Sequence, residues 1–170
     1  MNRKILIVAG DPRSINSEII LKSWNKLNNQ IKKNVYLIAN YNLISQQLKK
    51  LRFKTNIIKI TQTNNSIYSK KLKIIDVPLR FKNPFKVPYN HSSKYVKKSL
   101  SLAHKLTIDG KAKSIINCPI DKKLLSKTEK IGVTEFLASK CNIYDDSEIM
   151  MIYNPKLSVV PLTTHLNLKD

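Results

Sequence analysis

Three short apolar runs, separated by amphipathic stretches, constrain the fold of this chain more than any other feature. The runs lie at residues 4–9, 34–39 and 56–60, and the stretches between them carry apolar side chains at helical spacing. A continuous apolar run is typical of a strand that is covered on both faces of a sheet. Strands that alternate with helices at short spacing indicate parallel pairing through crossover helices. The sequence therefore predicts an α/β fold, with a mostly parallel sheet and helices on both faces.

The rest of the chain predicts further elements of both kinds. Additional strands are predicted at residues 72–77, 113–117, 148–153 and 157–160. A long helix is predicted from Ser92 or Ser93 to about Ile108, and a shorter one over 133–140. The last two strands flank Asn154-Pro155 and are predicted to form a hairpin. We expect the final strand to be buried, because it is apolar throughout.

The charge of the chain suggests an anionic partner, but its composition favours a simpler explanation. The formal net charge is +20, and only four of the 31 basic residues are arginines. Proteins that bind nucleic acid usually recruit arginine for bidentate contacts with phosphates and bases. We therefore expect neither a nucleic-acid nor a membrane partner, and we attribute the charge to a lysine-rich composition. A non-catalytic basic binding protein remains an alternative.

The cysteines and histidines carry little chemical signal by themselves. Cys118 and Cys141 form no CxxC pair, so the sequence predicts a reduced, cytoplasmic protein. Cys118 lies near Lys122 and is either a reactive thiol or, more commonly, a small buried apolar residue. His91 and His104 are predicted to be structural. No stretch approaches the roughly 18 apolar residues that a membrane helix needs.

Four motifs carry residue types that bind anions or metals. The first motif (10–18) begins with Gly-Asp-Pro after a strand, where doubly wound folds bind phosphates, but it lacks GxGxxG. The second (117–122) contains Asn-Cys-Pro-Ile-Asp-Lys. The third (132–136) begins a helix, whose free amides and threonine hydroxyl could hold an anion. The fourth (163–170) contains one histidine, which cannot form a metal site alone.

In this order and spacing, the four motifs resemble the 4-hydroxythreonine-4-phosphate dehydrogenase family of pyridoxal phosphate biosynthesis. The fourth motif, Thr-Thr-His-Leu-Asn-Leu-Lys-Asp, is similar to the family's Thr-Thr-His-Leu-Pro-Leu-Arg-Asp and is the most specific. The third motif has Gly-Val-Thr-Glu-Phe where the family has Gly-His-Thr-Glu-Phe. The first motif keeps the family's frame but not its two later glycines. The resemblance covers the whole chain and about the N-terminal half of the family's length.

The resemblance implies roles for three residues. His165 would be one of three histidines that bind a divalent metal ion: Zn, Mg or Co. Thr134 would contact the substrate, and Val133 takes the place of a substrate-binding histidine. Valine can neither donate a hydrogen bond nor carry charge. We expect this replacement to shift substrate preference or to reduce activity.

The resemblance also implies an architecture. The expected fold is of the isocitrate/isopropylmalate dehydrogenase-like type, truncated, with a first domain over 1–130 and the start of a second over 131–170. Family members are homodimers whose metal site takes residues from both subunits. We expect this chain to be inactive alone. We also expect that half of such a sheet leaves an edge and an apolar face uncovered.

The function that the resemblance implies is an oxidation followed by a decarboxylation. The enzyme would oxidise 4-phosphooxy-threonine with NAD or NADP and a divalent metal ion, and the resulting β-keto acid would lose CO₂. Its partner would be a small phosphorylated substrate. The alternative within the same class is a related dehydrogenase of another phosphorylated hydroxy acid, such as 4-phosphothreonate.

Overall fold

A computed structural model describes residues 4–61, 70–126, 132–143 and 148–161. Its main feature is a sheet of five parallel strands in the spatial order β3-β4-β2-β1-β5. The strands are β1 (Ile5–Val8), β2 (Val35–Ala39), β3 (Ile57–Ile60), β4 (Leu72–Asp76) and β5 (Ser114–Asn117). The predicted α/β fold with a mostly parallel sheet is confirmed.

Most of the helices lie in the connections between parallel strands, and the last helix follows β5. The helices are α1 (Asn16–Lys26), α2 (Asn29–Lys32), α3 (Tyr41–Lys50), α4 (Tyr89–Ile108) and α5 (Val133–Lys140), with a 3-10 turn at Lys122–Leu124. Helix α5 has its predicted bounds. Helix α4 begins earlier than predicted, because the Pro88 carbonyl already accepts the Ser92 amide at 2.9 Å. Within the described ranges, no helix combines the length and apolar composition of a membrane span.

Helices cover both faces of the sheet, which explains why the strand sequences are apolar without alternation. On one face, α4 packs Tyr95, Val96 and Leu100 against β1 and β2. On the other face, α1 and α3 bury Trp24 and Ile44 in a second cluster with alternate residues of the same strands. Each central strand therefore contributes side chains to two separate cores.

The predicted hairpin near residue 155 is confirmed, but its burial is not. Strands β6 (Ile152–Asn154) and β7 (Leu157–Val159) pair in antiparallel fashion. Leu157 is 67% exposed and Val160 is 54% exposed, so the expectation of a buried final strand is wrong. The physical reason is that no other element of the described residues covers this hairpin. An apolar run indicates that burial is favourable, but it does not supply the covering surface.

An edge and an apolar surface of the sheet are open in the described residues. Strand β5 ends the sheet on one side, and its Ile116 is 53% exposed. A cleft of about 390 Å³ beside it is lined mainly by apolar side chains of α1, β1 and β5. The uncovered edge and face expected from the sequence are therefore present. The division into domains near residue 130 stays a prediction.

The two-faced core predicts a large difference between two truncations in α4. Leu100 is fully buried and Ile108 is 69% exposed. We expect Leu100→Ala to lower the free energy of unfolding by about 2–5 kcal/mol, because it leaves a cavity. Ile108→Ala should change it by less than about 0.5 kcal/mol. Urea unfolding of both variants tests this, and equal losses would contradict the described packing.

Candidate functional site

The site is built at the carboxyl edge of the sheet. All five strands are parallel, so the loops that follow them emerge at the same edge. Strand β2 lies on one side of β1, and β5 lies on the other. The loops after β1 and β5 therefore meet where the strand order reverses. Open α/β sheets bind their ligands in the crevice at such a point.

A single side-chain amide joins these two loops. The Asn16 side chain is 2% exposed, and its Nδ2 donates to the carbonyls of Ala9 at 3.0 Å and Pro119 at 2.7 Å. The Asp11 amide donates to the same Pro119 oxygen at 3.4 Å. Ser14 Oγ accepts the Asn16 amide at 3.1 Å and donates to the Asp11 carbonyl at 2.7 Å. The loop after β1 is thus closed by its own polar groups.

Gly10 allows this close approach. Its φ is +72°, and a Cβ atom there would lie 2.6 Å from Asn16 Nδ2 and 2.6 Å from the Pro119 oxygen. Residues with a side chain pay a steric cost at positive φ, and here the space is also filled. The glycine is therefore required by the packing of two loops. Because the space beside Gly10 is filled, it cannot hold a phosphate. The geometry therefore does not support the interpretation of the first motif as a nucleotide-binding loop.

An arginine links the first motif to the second. The Asp11 carboxylate accepts the Arg13 amide at 2.9 Å and its Nε at 3.2 Å. The guanidinium also lies 3.7 Å from Asp121 and 5.4 Å from the centroid of the Tyr89 ring. The hydrogen bond to Asp11 is the main reason that the pKa of Arg13 is raised, which keeps its charge fixed.

The third motif lies beside the second. Ser93 Oγ of α4 donates to the Leu124 carbonyl at 2.7 Å and holds the 3-10 turn. The Cε atom of Lys122 lies 3.8 Å from the position of a Cβ on Gly132. The Gly132 amide donates to the Glu135 carboxylate at 2.7 Å, which caps the start of α5. Three of the four predicted motifs therefore meet beyond the carboxyl end of β5.

The three predicted site residues have different surroundings. Thr134 is exposed on the first turn of α5, and Val133 is half-buried and packs against the core that α4 covers. His165 lies outside the described residues, as does the whole fourth motif. Across the described ranges, no cluster of three or more His, Cys, Asp or Glu side chains could hold a metal ion. A metal site would therefore need ligands beyond these ranges.

The other candidates are Cys118 and the two described histidines. Cys118 is 9% exposed, and burial raises the pKa of its thiol to about 11, so it is a small buried residue and not a reactive thiol. His91 Nδ1 lies 2.9 Å from the Arg80 carbonyl oxygen, and His104 Nε2 lies 3.2 Å from Cys141 Sγ. Each histidine therefore has a partner within the fold.

Sequence reasoning missed a polar cleft of about 530 Å³ at the carboxyl ends of β2 and β4. The polar cleft is lined by Asn40, Asn42, Asp76, Pro78, Leu79, Arg80, His91, Lys94, Tyr95 and Lys98. Two signals point to it. Polar residues stand directly at two strand ends, and two lysines lie one turn apart near the start of a helix.

A comparison with known protein families agrees with the arrangement of the motifs. A family model described as pyridoxal phosphate biosynthetic protein PdxA matches residues 30–170. The chain belongs to the PdxA family. The resemblance drawn from the four motifs is thereby confirmed.

Curated relatives of the PdxA family match along nearly the whole chain. A 4-hydroxythreonine-4-phosphate dehydrogenase from Aquifex aeolicus is 33% identical over 100% of this chain and 52% of its own length. One from Zymomonas mobilis is 26% identical over 99% of this chain and 50% of its own. A protein from Oceanobacillus iheyensis, provisionally named D-threonate 4-phosphate dehydrogenase, is 27% identical over 95% of this chain. The chain spans about half the length of the curated relatives it matches.

Solved structures support the fold. A 4-hydroxythreonine-4-phosphate dehydrogenase from Burkholderia phymatum superposes with a TM-score of 0.84 at 22% identity. It covers 98% of this chain, which in turn covers 51% of that structure. A 4-hydroxythreonine-4-phosphate dehydrogenase from Klebsiella pneumoniae superposes with a TM-score of 0.81 at 24% identity. The match covers 98% of this chain and 52% of that structure. At these identities, the likeness shows that the PdxA fold is shared.

The packing around Gly10 predicts different costs for alanine at two glycines. Gly110 also has a positive φ, +69°, but nothing lies within 4 Å of the position of its Cβ. Gly110→Ala should therefore cost only backbone strain, about 1–2 kcal/mol. Gly10→Ala adds a collision that requires the two loops to separate, for a total of about 2–5 kcal/mol. Denaturant unfolding measures both values, and equal costs would show that the two loops are not in tight contact.

Proposed function

We propose that this chain is part of a dehydrogenase that oxidises and decarboxylates 4-phosphooxy-threonine with NAD or NADP. The supporting observation is that relatives named 4-hydroxythreonine-4-phosphate dehydrogenase match over 98–100% of this chain. The proposal concerns the working protein, because those relatives are about twice as long as the region they share with this chain.

The third motif is the proposed contact with the substrate. Thr134 is exposed on the first turn of α5, where the positive end of the helix dipole favours a negative group. The aliphatic end of Lys122 is close to the same helix start. An exposed hydroxyl, the helix dipole and an ammonium group can together orient a phosphorylated hydroxy acid. In this proposal, these groups bind and position the substrate for oxidation.

His165 is the proposed metal ligand. A single imidazole cannot hold a divalent ion, so further ligands must come from other parts of the working protein or from a second subunit. This need agrees with the homodimer that the resemblance implies. A bound Zn, Mg or Co ion would polarise the alcohol of the substrate. In this proposal, the described residues contribute to substrate positioning.

A second candidate substrate follows from one relative and one residue. The Oceanobacillus iheyensis relative is named for D-threonate 4-phosphate, which differs in the group beside the alcohol. Val133 stands where the resemblance expects a histidine, and it packs against the core. Without a polar group there, the site offers one hydrogen bond fewer to the substrate. The ratio of kcat/KM for the two substrates decides between the candidates.

The proposed function predicts that His165→Ala abolishes both metal binding and turnover in the native protein. We expect divalent metal affinity to fall by at least about tenfold and NAD(P)H formation to be lost, since one ligand of the ion is removed. The matched control is His104→Ala, which removes an imidazole that contacts Cys141. The control should keep both activities. If His165→Ala left metal affinity and turnover intact, the assignment of the ligand would be wrong.

A further inference from the structure

The polar cleft has two neighbouring strands at its base and a helix along one side. Asn40 follows β2, and Asp76 ends β4, so the base lies at the carboxyl edge of the sheet. The first part of α4 contributes His91, Lys94 and Lys98. This cleft lies away from the loops after β1 and β5, whose polar groups bond to one another. It is an open site, with room for a small molecule.

Three cations of the cleft have no carboxylate partner among the described residues. Arg80, Lys94 and Lys98 are exposed, and none of them takes part in an ion pair with the described carboxylates. The two lysines are four residues apart on α4, so their side chains emerge on the same side of the helix. Like charges at this spacing repel each other and destabilise the helix slightly. An anion between them would remove that cost.

The carboxylate in the cleft is already neutralised. Asp76 forms an ion pair with Lys59 at 2.7 Å and accepts the Tyr41 amide at 2.7 Å. The Asn40 side chain lies 3.5 Å from the same carboxylate and is otherwise used to cap α3, where it accepts the Leu43 amide at 2.9 Å. Asp76 therefore has its charge compensated within the fold. The net charge that the cleft presents to a ligand is positive.

His91 adds a directional group. Its Nδ1 lies 2.9 Å from the Arg80 carbonyl oxygen, which can only accept a hydrogen bond. Nδ1 therefore donates this hydrogen bond, which fixes the orientation of the ring. His91 also stands in the first turn of α4, at the positive end of the helix dipole. This position favours a neighbouring anion.

We propose that the polar cleft binds the phosphate groups of a small phosphorylated ligand. Three unpaired cations, a helix start and a neutralised carboxylate converge on a space of about 530 Å³. Phosphate chemistry has two sources in the proposed reaction, the diphosphate of a dinucleotide and the phosphomonoester of the substrate. The proposal is independent of the reaction itself, since binding is measured without turnover.

The test is calorimetric titration of the chain with inorganic pyrophosphate. We expect saturable binding that weakens by at least about tenfold in the double variant Lys94→Gln, Lys98→Gln, because charge-assisted contacts are lost. The matched control is Lys97→Gln, Lys105→Gln, which removes two charges from the same helix outside the cleft. The control should weaken binding by less than about twofold. Thermal unfolding of both variants checks that the fold is kept.

The outcomes distinguish binding in the polar cleft from attraction to the overall charge of the protein. Equal losses in the two double variants would assign binding to the net charge of the protein and overturn the proposal, as would an absence of saturable binding. Displacement of pyrophosphate by NAD⁺ supports the proposal and identifies a dinucleotide site. Displacement by O-phosphothreonine supports it and identifies a phosphomonoester site. Displacement by neither compound would overturn it.

Discussion

The contact on which the candidate site depends is the side-chain amide of Asn16. It donates to carbonyls of two loops that leave the sheet at the same edge, at 3.0 Å to Ala9 and 2.7 Å to Pro119. Both acceptors are backbone oxygens, so only a two-proton donor satisfies them at once. Gly10 provides the space that this contact needs. The three described motifs keep their mutual positions because this junction holds the loops after β1 and β5 together.

The carboxyl edge of the sheet is divided into a closed part and an open part. At the junction of β1 and β5, Arg13 forms ion pairs with Asp11 and Asp121. At the ends of β2 and β4, cations of the polar cleft lack such partners within the described ranges. Fixed, paired groups stabilise loops, whereas unpaired groups in a cleft remain available for a ligand.

Much of the fold follows from local sequence, and much of the site does not. All five strands of the sheet were predicted, and continuous apolar runs marked the first three, because burial on both faces leaves no alternation. The polar cleft was missed because β4, and not β3, lies beside β2, and this pairing brings Asn40 and Asp76 together across 36 positions. Lys73 was also unforeseen. It is fully buried and donates to the Lys32 and Lys33 carbonyls, and burial lowers its pKa to about 8. In a lysine-rich chain, nothing local distinguishes it.

The most direct test of the junction at Asn16 is amide hydrogen exchange at Asp11 in the variant Asn16→Asp. The substitution preserves shape but places a carboxylate against two carbonyl oxygens. A charge at the start of α1 favours the helix by at most about 2 kcal/mol, less than the cost of leaving two buried carbonyl groups without this donor. We predict that the Asp11 amide, which donates to Pro119, exchanges at least about tenfold faster in the variant than in the unsubstituted protein. An unchanged exchange rate and an unchanged free energy of unfolding would contradict this prediction.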